Sequence, residues 1–122
     1  MAGRLNGTTV LVVEDEFLIL VDLEHLLEGE GARITSATSL EEALSLPQED
    51  YDAAVLDVRL PDGDVYPLAH RLSQRHVPLV FHSGHVQSES IAETFPEAVT
   101  LAKPVHEKVL IAALERQVAT RH

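Results

Sequence analysis

The sequence contains no cysteine and no tryptophan, and none of its apolar runs approaches the roughly 20 residues of a membrane-spanning helix. Without thiols the chain cannot form disulfide bonds, carry out thiolate chemistry or build a zinc site from cysteine ligands. Its N-terminal residues include no apolar segment of the kind that forms the core of a signal peptide. We therefore expect a cytoplasmic protein without membrane contact.

Basic residues are also scarce, because 9 Lys and Arg stand against 20 Asp and Glu, for a formal net charge of −11. Nucleic-acid-binding proteins usually carry basic patches that neutralise phosphates, so we predict no direct contact with nucleic acid. The hydrophobic fraction of 45% in 122 residues is typical of a globular protein. We expect one domain over residues 1–122, with its core at about residues 8–118 and no effector domain.

Short β-like segments alternate with helix-like segments along the whole chain. Ser39, with Glu42 three residues later, predicts a capping box at the start of the second helix. The predicted strands are 8–13, 32–37, 51–56, 77–82 and 99–102; the helices begin near residues 17 and 40 and cover 65–74, 88–95 and 107–118. Five strand–helix repeats predict an α/β fold, a doubly wound five-stranded parallel sheet with strand order 2-1-3-4-5 and five helices.

Polar residues follow the predicted strands at the edge where such sheets bind ligands, next to the reversal of strand order. They are Glu14, Asp15 and Glu16 after the first strand, Asp57 after the third, Ser83 after the fourth and Lys103 after the fifth. Each residue alone has a simpler explanation as a helix cap, a turn residue or a solvated charge. Their convergence on one edge favours a common site.

Electrostatics indicate which chemistry this site supports. Two carboxylates about 4 Å apart repel by roughly 4 kcal/mol at an effective dielectric constant near 20. A hard divalent cation such as Mg²⁺ would relieve that repulsion among Glu14, Asp15 and Asp57. Lys103 adds one positive charge and Ser83 one hydroxyl donor. A metal ion, an ammonium and a hydroxyl around a free carboxylate are typical of a phosphoryl-acceptor site.

These motifs resemble the receiver domain of two-component response regulators over essentially the whole chain. Residues 12–16, Val-Val-Glu-Asp-Glu, resemble its acidic pair, and residues 56–63, Leu-Asp-Val-Arg-Leu-Pro-Asp-Gly, resemble its phosphoacceptor loop. Ser83 and Lys103-Pro104 match its positions after the fourth and fifth strands. The resemblance implies a flavodoxin-like receiver fold.

The resemblance also implies a role for each acidic residue. Asp57 would accept a phosphoryl group from a phosphohistidine on a histidine kinase or histidine phosphotransferase. Asp15, Asp57 and the backbone carbonyl of Arg59 would bind Mg²⁺, with Glu14 assisting. The chain would then act as a signalling switch for an unknown downstream protein, and would not be an enzyme beyond accepting and losing its own phosphoryl group.

Further residues follow from the same resemblance. Ser83 would hydrogen-bond the phosphoryl group and Lys103 would pair with it, with a cis peptide expected between Lys103 and Pro104. The switch region would include Thr100 and Pro104. Receivers commonly carry Tyr or Phe at the position of Thr100, so an aromatic-rotamer switch is excluded there. Arg59 lies two residues after Asp57, and His85 lies two residues after Ser83. Both would flank the phosphoryl group and tune its hydrolysis, or else both point to solvent.

Other readings remain as alternatives. A flavin mononucleotide site would need a Ser/Thr/Gly-rich loop after the first strand, where this chain has Glu-Asp-Glu. A haloacid-dehalogenase-type phosphatase would need its Asp-x-Asp pair there, whereas Asp57-Val58-Arg59 lacks the second aspartate and follows the third strand. The sequence meets neither requirement. A metal site from His82, His85 and His106 lacks any recognised spacing, and His82 is expected to face the core. The main alternative is a receiver-like interaction module that works without phosphorylation. Without an effector domain the chain would be either a stand-alone regulator or a domain cut from a longer protein, and the Met1 start and the lack of a linker favour the stand-alone regulator.

Overall fold

A computed structural model of the protein describes residues 3–47, 50–84 and 88–121. Strands and helices alternate as the sequence predicts, apart from one additional hairpin. In chain order the elements are β1 Thr9–Val13, α1 Phe17–Gly29, β2 Arg33–Ala37, α2 Leu40–Ser45, β3 Ala53–Asp57, β4 Arg59–Leu60, β5 Gly63–Asp64, α3 Tyr66–Gln74, β6 Leu79–Ser83, α4 Ser88–Thr94, β7 Val99–Ala102 and α5 Glu107–Arg121.

The main sheet has five strands in the order β2-β1-β3-β6-β7, and every neighbouring pair is parallel. This confirms the predicted order 2-1-3-4-5, because β6 and β7 are the fourth and fifth strands of this sheet. The chain leaves β1 toward β2 on one side and returns to β3 on the other. The crevice between the carboxyl ends of β1 and β3 is therefore the point at which the strand order reverses.

The boundaries of two strands differ from the prediction in a way that affects the site. The third and fourth strands begin two residues later than predicted and end one residue later, at Asp57 and Ser83. Asp57 pairs in register with His82, and Ser83 with Ala102, so both are the last residues of their strands and do not follow them as free loop residues. Pro78 has no N–H to donate to the ladder, and β6 begins directly after it. The carbonyl of Pro78 accepts a hydrogen bond from Ala54 N at 2.9 Å.

The Pro-Asp-Gly segment after β3 is the turn of a hairpin that the sequence analysis did not predict. Arg59 pairs with Asp64 and Leu60 with Gly63 in a two-stranded antiparallel sheet. Gly63 has a φ of 141°, a conformation that residues with a Cβ rarely adopt. The hairpin is two residues long on each strand, and it carries the chain from Asp57 to α3.

Asp62 at the hairpin tip caps a different element, the short helix α2. Its two carboxylate oxygens accept hydrogen bonds from Leu40 N and Glu41 N, each at 2.8 Å. These bonds lower the pKa of the Asp62 carboxyl. The loop after the phosphoacceptor candidate is therefore tied to the start of α2.

The predicted capping box of α2 is present with one change. Ser39 Oγ accepts from Glu42 N at 3.1 Å, as expected of an N-cap residue. Glu42 Oε1 accepts a hydrogen bond from the amide of Thr38 at 2.8 Å. In a standard capping box this carboxylate accepts instead from the amide of the N-cap residue, which here is Ser39.

Two apolar cores lie on opposite faces of the sheet, because successive side chains of each strand point to opposite sides. On one face the core packs under α2, α3 and α4, and on the other under α1 and α5. Leu11, Leu56 and Phe81 represent the first core, and Val10, Val55 and Val80 the second. These six side chains are almost completely buried, which agrees with the continuous apolar runs of strands covered on both faces.

The last two helices differ slightly from their predicted bounds. α4 ends at Thr94, one residue before the predicted end, and α5 continues to Arg121, three residues beyond residue 118. Gln117, buried in the last two turns of α5, donates from Nε2 to Leu79 O at 2.9 Å and to Glu97 O at 3.1 Å. This side chain fixes the end of α5 against the sheet.

Within the described residues, we find no helix with the length and apolar character needed to cross a membrane.

Candidate functional site

Three carboxylates meet at the crevice between β1 and β3. Glu14 and Asp15 directly follow β1, and Asp57 ends β3. One oxygen from each lies within 4.8 Å of the others. Glu14 and Asp57 are buried, whereas Asp15 is exposed, so the cluster has an inner wall and one side open to solvent. The predicted convergence of these acids is thus present in the structure.

Glu14 is completely buried, which is rare for a glutamate. Its Oε1 accepts a hydrogen bond from Glu16 N at 3.0 Å. Burial raises the pKa of Glu14 to about 7 and the charge of Asp57 adds to this rise, although Lys103 and the Glu16 amide oppose it. The protonated form of this side chain is therefore populated near neutral pH.

Lys103 places its ammonium between two of these carboxylates. Its Nζ lies 2.9 Å from Glu14 Oε2 and donates a hydrogen bond to Asp57 Oδ2 at 3.1 Å. Glu16 Oε1 lies farther away, at 4.0 Å. Burial alone would lower the pKa of Lys103, but the contacts with Glu14 and Asp57 outweigh it, and the pKa is raised. The lysine is thus charged and sits directly against the candidate phosphoacceptor.

Ser83 ends the neighbouring strand β6 and is buried. Its carbonyl accepts from Lys103 N at 2.9 Å, which joins the strand end that carries the hydroxyl to the loop that carries the ammonium. The peptide between Lys103 and Pro104 is cis, as the resemblance implies. Pro104 itself is exposed on this loop.

The remaining sequence-predicted positions lie around this centre. Arg59 is exposed on β4, two residues after Asp57. Thr100 is partly buried on β7, in register with Phe81. His85 lies outside the described residues, so its predicted tuning role stays a prediction.

His82 belongs to this site, although the sequence analysis expected only that it faces the core. It is 3% exposed, and its Nε2 lies 3.4 Å from Glu14 Oε2. Burial and the nearby charge of Lys103 lower the pKa of His82 to about 4, so the ring is neutral at pH 7. The sequence held one signal for this placement, the position of His82 on the fourth strand, where it pairs in register with Asp57. The cluster that could hold a metal ion contains carboxylates and no histidine among the described residues.

The family of the chain is decided by comparison with known proteins. Residues 10–115 match the family model described as response regulator receiver domain. The chain belongs to this family.

Named relatives agree with this assignment. The chain is 33% identical over 115 residues to the sensor protein TorS of Escherichia coli strain K12, covering 89% of this chain and 13% of TorS. It is 32% identical over 74 residues to the response regulator SaeR of Staphylococcus aureus strain USA300, covering 61% of this chain and 32% of SaeR. This receiver domain thus spans a small part of either relative.

A solved receiver domain has the same fold. The non-phosphorylated HemR receiver domain from Leptospira biflexa superposes with a TM-score of 0.80 at 29% identity, covering 92% of this chain and 94% of that one. The predicted receiver fold is therefore confirmed, with the polar site at the switch point of its sheet.

The acidic cluster fits a hard divalent cation. Its donors are carboxylate oxygens, the ligands that Mg²⁺ prefers, and the exposed Asp15 leaves room for retained water. Glu14 Oε2 is buried and shares the Lys103 ammonium, 2.9 Å away, with Asp57 Oδ2 at 3.1 Å. This single ammonium does not balance the three carboxylates in their ionised form, and a cation would complete the compensation.

Proposed function

We propose that this receiver domain accepts a phosphoryl group on Asp57 from a phosphohistidine of a histidine kinase or histidine phosphotransferase, with Mg²⁺ as cofactor. The observation that carries the proposal is the contact of Lys103 Nζ with Asp57 Oδ2 at 3.1 Å, beside Glu14 and Asp15. A nucleophilic carboxylate, a fixed positive charge and a cation-binding cluster at one point of the fold are the groups that phosphoryl transfer needs.

The transfer itself can be written from the groups present. A carboxylate oxygen of Asp57 attacks the phosphorus, a P–O bond forms, and the P–N bond to the donor imidazole breaks. The electron pair of that bond remains on the imidazole, and Asp57 becomes an acyl phosphate. Lys103 already lies at the Asp57 carboxylate, so its ammonium can pair with the equatorial oxygens as their charge develops.

Glu14, Asp15, Asp57 and the backbone carbonyl of Arg59 would hold the Mg²⁺. When bound, the ion supplies positive charge that neutralises both the carboxylate cluster and the incoming phosphoryl oxygens. The chain contributes the arrangement: Glu14 is fixed by the Glu16 amide, and Asp15 lies on the open side.

The acyl phosphate would change a surface that lies next to the site. Phosphorylation adds about −1.5 to −2 charges and strong acceptor oxygens. Lys103 and Ser83 turn toward these oxygens, and the loop of Lys103 is joined to the end of β6 by the hydrogen bond from Lys103 N to Ser83 O. The displacement would reach α4, β7 and α5, the face that binds a downstream protein in this proposal. Thr100 lies on this face and acts without an aromatic rotamer. The domain is a switch that undergoes one modification at a time and turns over no external substrate.

Intact-mass measurement after incubation with acetyl phosphate tests the proposal. We expect the wild-type protein to gain one phosphoryl group in the presence of Mg²⁺ and none with a chelator. Asp57→Asn should abolish the gain, whereas Asp22→Asn, which changes an exposed aspartate of α1, should leave it intact. A folded wild-type protein that gains no phosphoryl group from acetyl phosphate or phosphoramidate would instead support the phosphorylation-independent interaction module.

A further inference from the structure

Two buried polar atoms face each other next to Asp57, and the proposed transfer uses no contact between them. His82 Nε2 lies 3.4 Å from Glu14 Oε2, and the two side chains are 4% and 0% exposed. Within the described residues His82 Nε2 makes no hydrogen bond, whereas Glu14 Oε2 has the Lys103 ammonium 2.9 Å away. Since His82 Nε2 does not reach water, leaving it unpaired is unfavourable, and a small movement would pair it with Glu14 Oε2.

The contact follows from the strand register, so it is a property of the fold. Side chains two residues apart on a strand share one face of the sheet. Val12 and Val80 pack in the same core cluster on the α1 and α5 side, and Glu14 and His82 follow them by two residues. His82 is also the register partner of Asp57. The imidazole is therefore built into the wall of the site.

Lys103 shares the Glu14 oxygen that His82 faces. Its Nζ lies 2.9 Å from Glu14 Oε2 and 3.1 Å from Asp57 Oδ2. In the proposed function this ammonium turns toward the phosphoryl group on Asp57. Glu14 Oε2 would then lose its closest cation while remaining buried, unless another donor replaces it.

We propose that His82 is a positioning residue: its ring donates Nε2–H to Glu14 Oε2 and keeps that carboxylate in the acidic cluster when Lys103 turns to the phosphoryl group. The movement of Lys103 rests on the proposed function, but the donor–acceptor pair does not. Closing the distance from 3.4 Å to a hydrogen bond of about 2.9 Å needs a shift of only about half an ångström. A neutral donor is sufficient here, and a second buried cation next to Lys103 would be unfavourable.

Nitrogen-15 NMR of the ring nitrogens in the wild-type protein tests the donor directly. The His82 signals are assigned by their loss in His82→Gln. At pH 7 we expect a neutral ring with its proton on Nε2. Adding Mg²⁺ and beryllium fluoride, a phosphoryl mimic, should shift the Nε2–H signal downfield as the hydrogen bond shortens. A proton on Nδ1, or a signal that does not respond to the mimic in a protein that binds it, overturns the proposal.

Two substitutions separate the hydrogen bond from packing. His82→Leu removes the donor and keeps an apolar side chain, whereas His82→Gln keeps an N–H donor on a chain of similar reach. With beryllium fluoride present, so that Lys103 turns to the phosphoryl mimic, we expect His82→Leu to weaken Mg²⁺ binding about tenfold in a calorimetric titration, and His82→Gln to stay within about threefold of wild type. His25→Leu, at an exposed histidine of α1, is the control and should leave the affinity unchanged.

The outcomes distinguish this inference from the proposed function. Wild-type affinity in His82→Leu, or an equal loss in both substitutions, assigns His82 to packing alone and overturns the proposal. If His82→Leu does not fold, the tautomer in the wild-type protein decides the question. If the wild-type protein accepts no phosphoryl group, the proposed function fails, while the tautomer of His82 still decides whether its ring donates to Glu14.

Discussion

Replacing Glu14 with glutamine should make the protein more stable at alkaline pH in the absence of divalent cations. Glu14 is completely buried, and its pKa is raised from the ordinary 4.5 to about 7. The folded state therefore binds this proton more tightly than the unfolded chain does. Stability from this group is fully present below pH 4.5, falls as the pH rises toward 7, and stays low above it. An amide of the same shape cannot ionise, so the variant avoids that loss.

The size of the effect follows from the two pKa values. A rise from 4.5 to about 7 corresponds to about 3 kcal/mol of unfolding free energy. His82 acts in the opposite direction, because its pKa is lowered from 6.5 to about 4 and its contribution is lost as the pH falls through that interval. The two slopes largely cancel in the wild-type protein between about pH 4.5 and 6.5. The difference between variant and wild type therefore isolates Glu14.

Urea unfolding followed by far-ultraviolet circular dichroism, with a chelator present, measures this difference from pH 4.5 to 8. We expect Glu14→Gln to match the wild type at the acidic end and to exceed it by about 2–3 kcal/mol at pH 8. Glu28→Gln, at an exposed position of α1, should give no pH-dependent difference. Saturating Mg²⁺ should reduce the advantage at pH 8, since a cation bound at the proposed site would stabilise the ionised cluster. A variant less stable than wild type at pH 8 without Mg²⁺ would refute the reasoning.

Further predictions concern transfer, packing and donor recognition. Lys103→Met should slow phosphorylation by acetyl phosphate at least about tenfold in intact-mass time courses, because it removes the charge at Asp57, while Lys108→Met, at an exposed lysine, should not. Gln117→Leu leaves two main-chain carbonyl groups without their donor and should lower the unfolding free energy in urea by about 1–3 kcal/mol; an unchanged value would show that water replaces the amide. Alanine at Phe17 and Leu18, which are 69% and 77% exposed beside the acidic cluster, should slow transfer from a protein phosphodonor but not from acetyl phosphate. Equal slowing with both donors would show damage to the site itself.

The strand order and the edge that carries the site could be predicted because both depend on local patterns. Continuous apolar segments indicate buried parallel strands, and the residues after them must converge at one edge. The acids Glu14, Asp15 and Asp57 and the base Lys103 accordingly lie together. The predicted starts of β3 and β6 are two residues too early because apolar character begins before the ladder does: Tyr51 is buried although it precedes its strand.

Other features could not be predicted because they depend on side chains that meet across the fold. The contact between His82 and Glu14 joins two strands that are not neighbours in sequence, and only the register reveals it. The two hydrogen bonds that Asp62 accepts from the start of α2 span 22 and 21 residues. A turn motif indicates that the chain reverses but not which distant amide its side chain reaches.

The cap from Asp62 has a consequence for the order in which the protein is made. α2 has six residues, fewer than an isolated helix needs for stability in water, and its first amides are satisfied by a residue that comes after β3 in the chain. During synthesis, α2 is therefore left without this cap until the ribosome has released residue 62 and the hairpin has closed. The hairpin that follows Asp57, the proposed phosphoacceptor, thus also completes α2, a helix that precedes β3 in the chain.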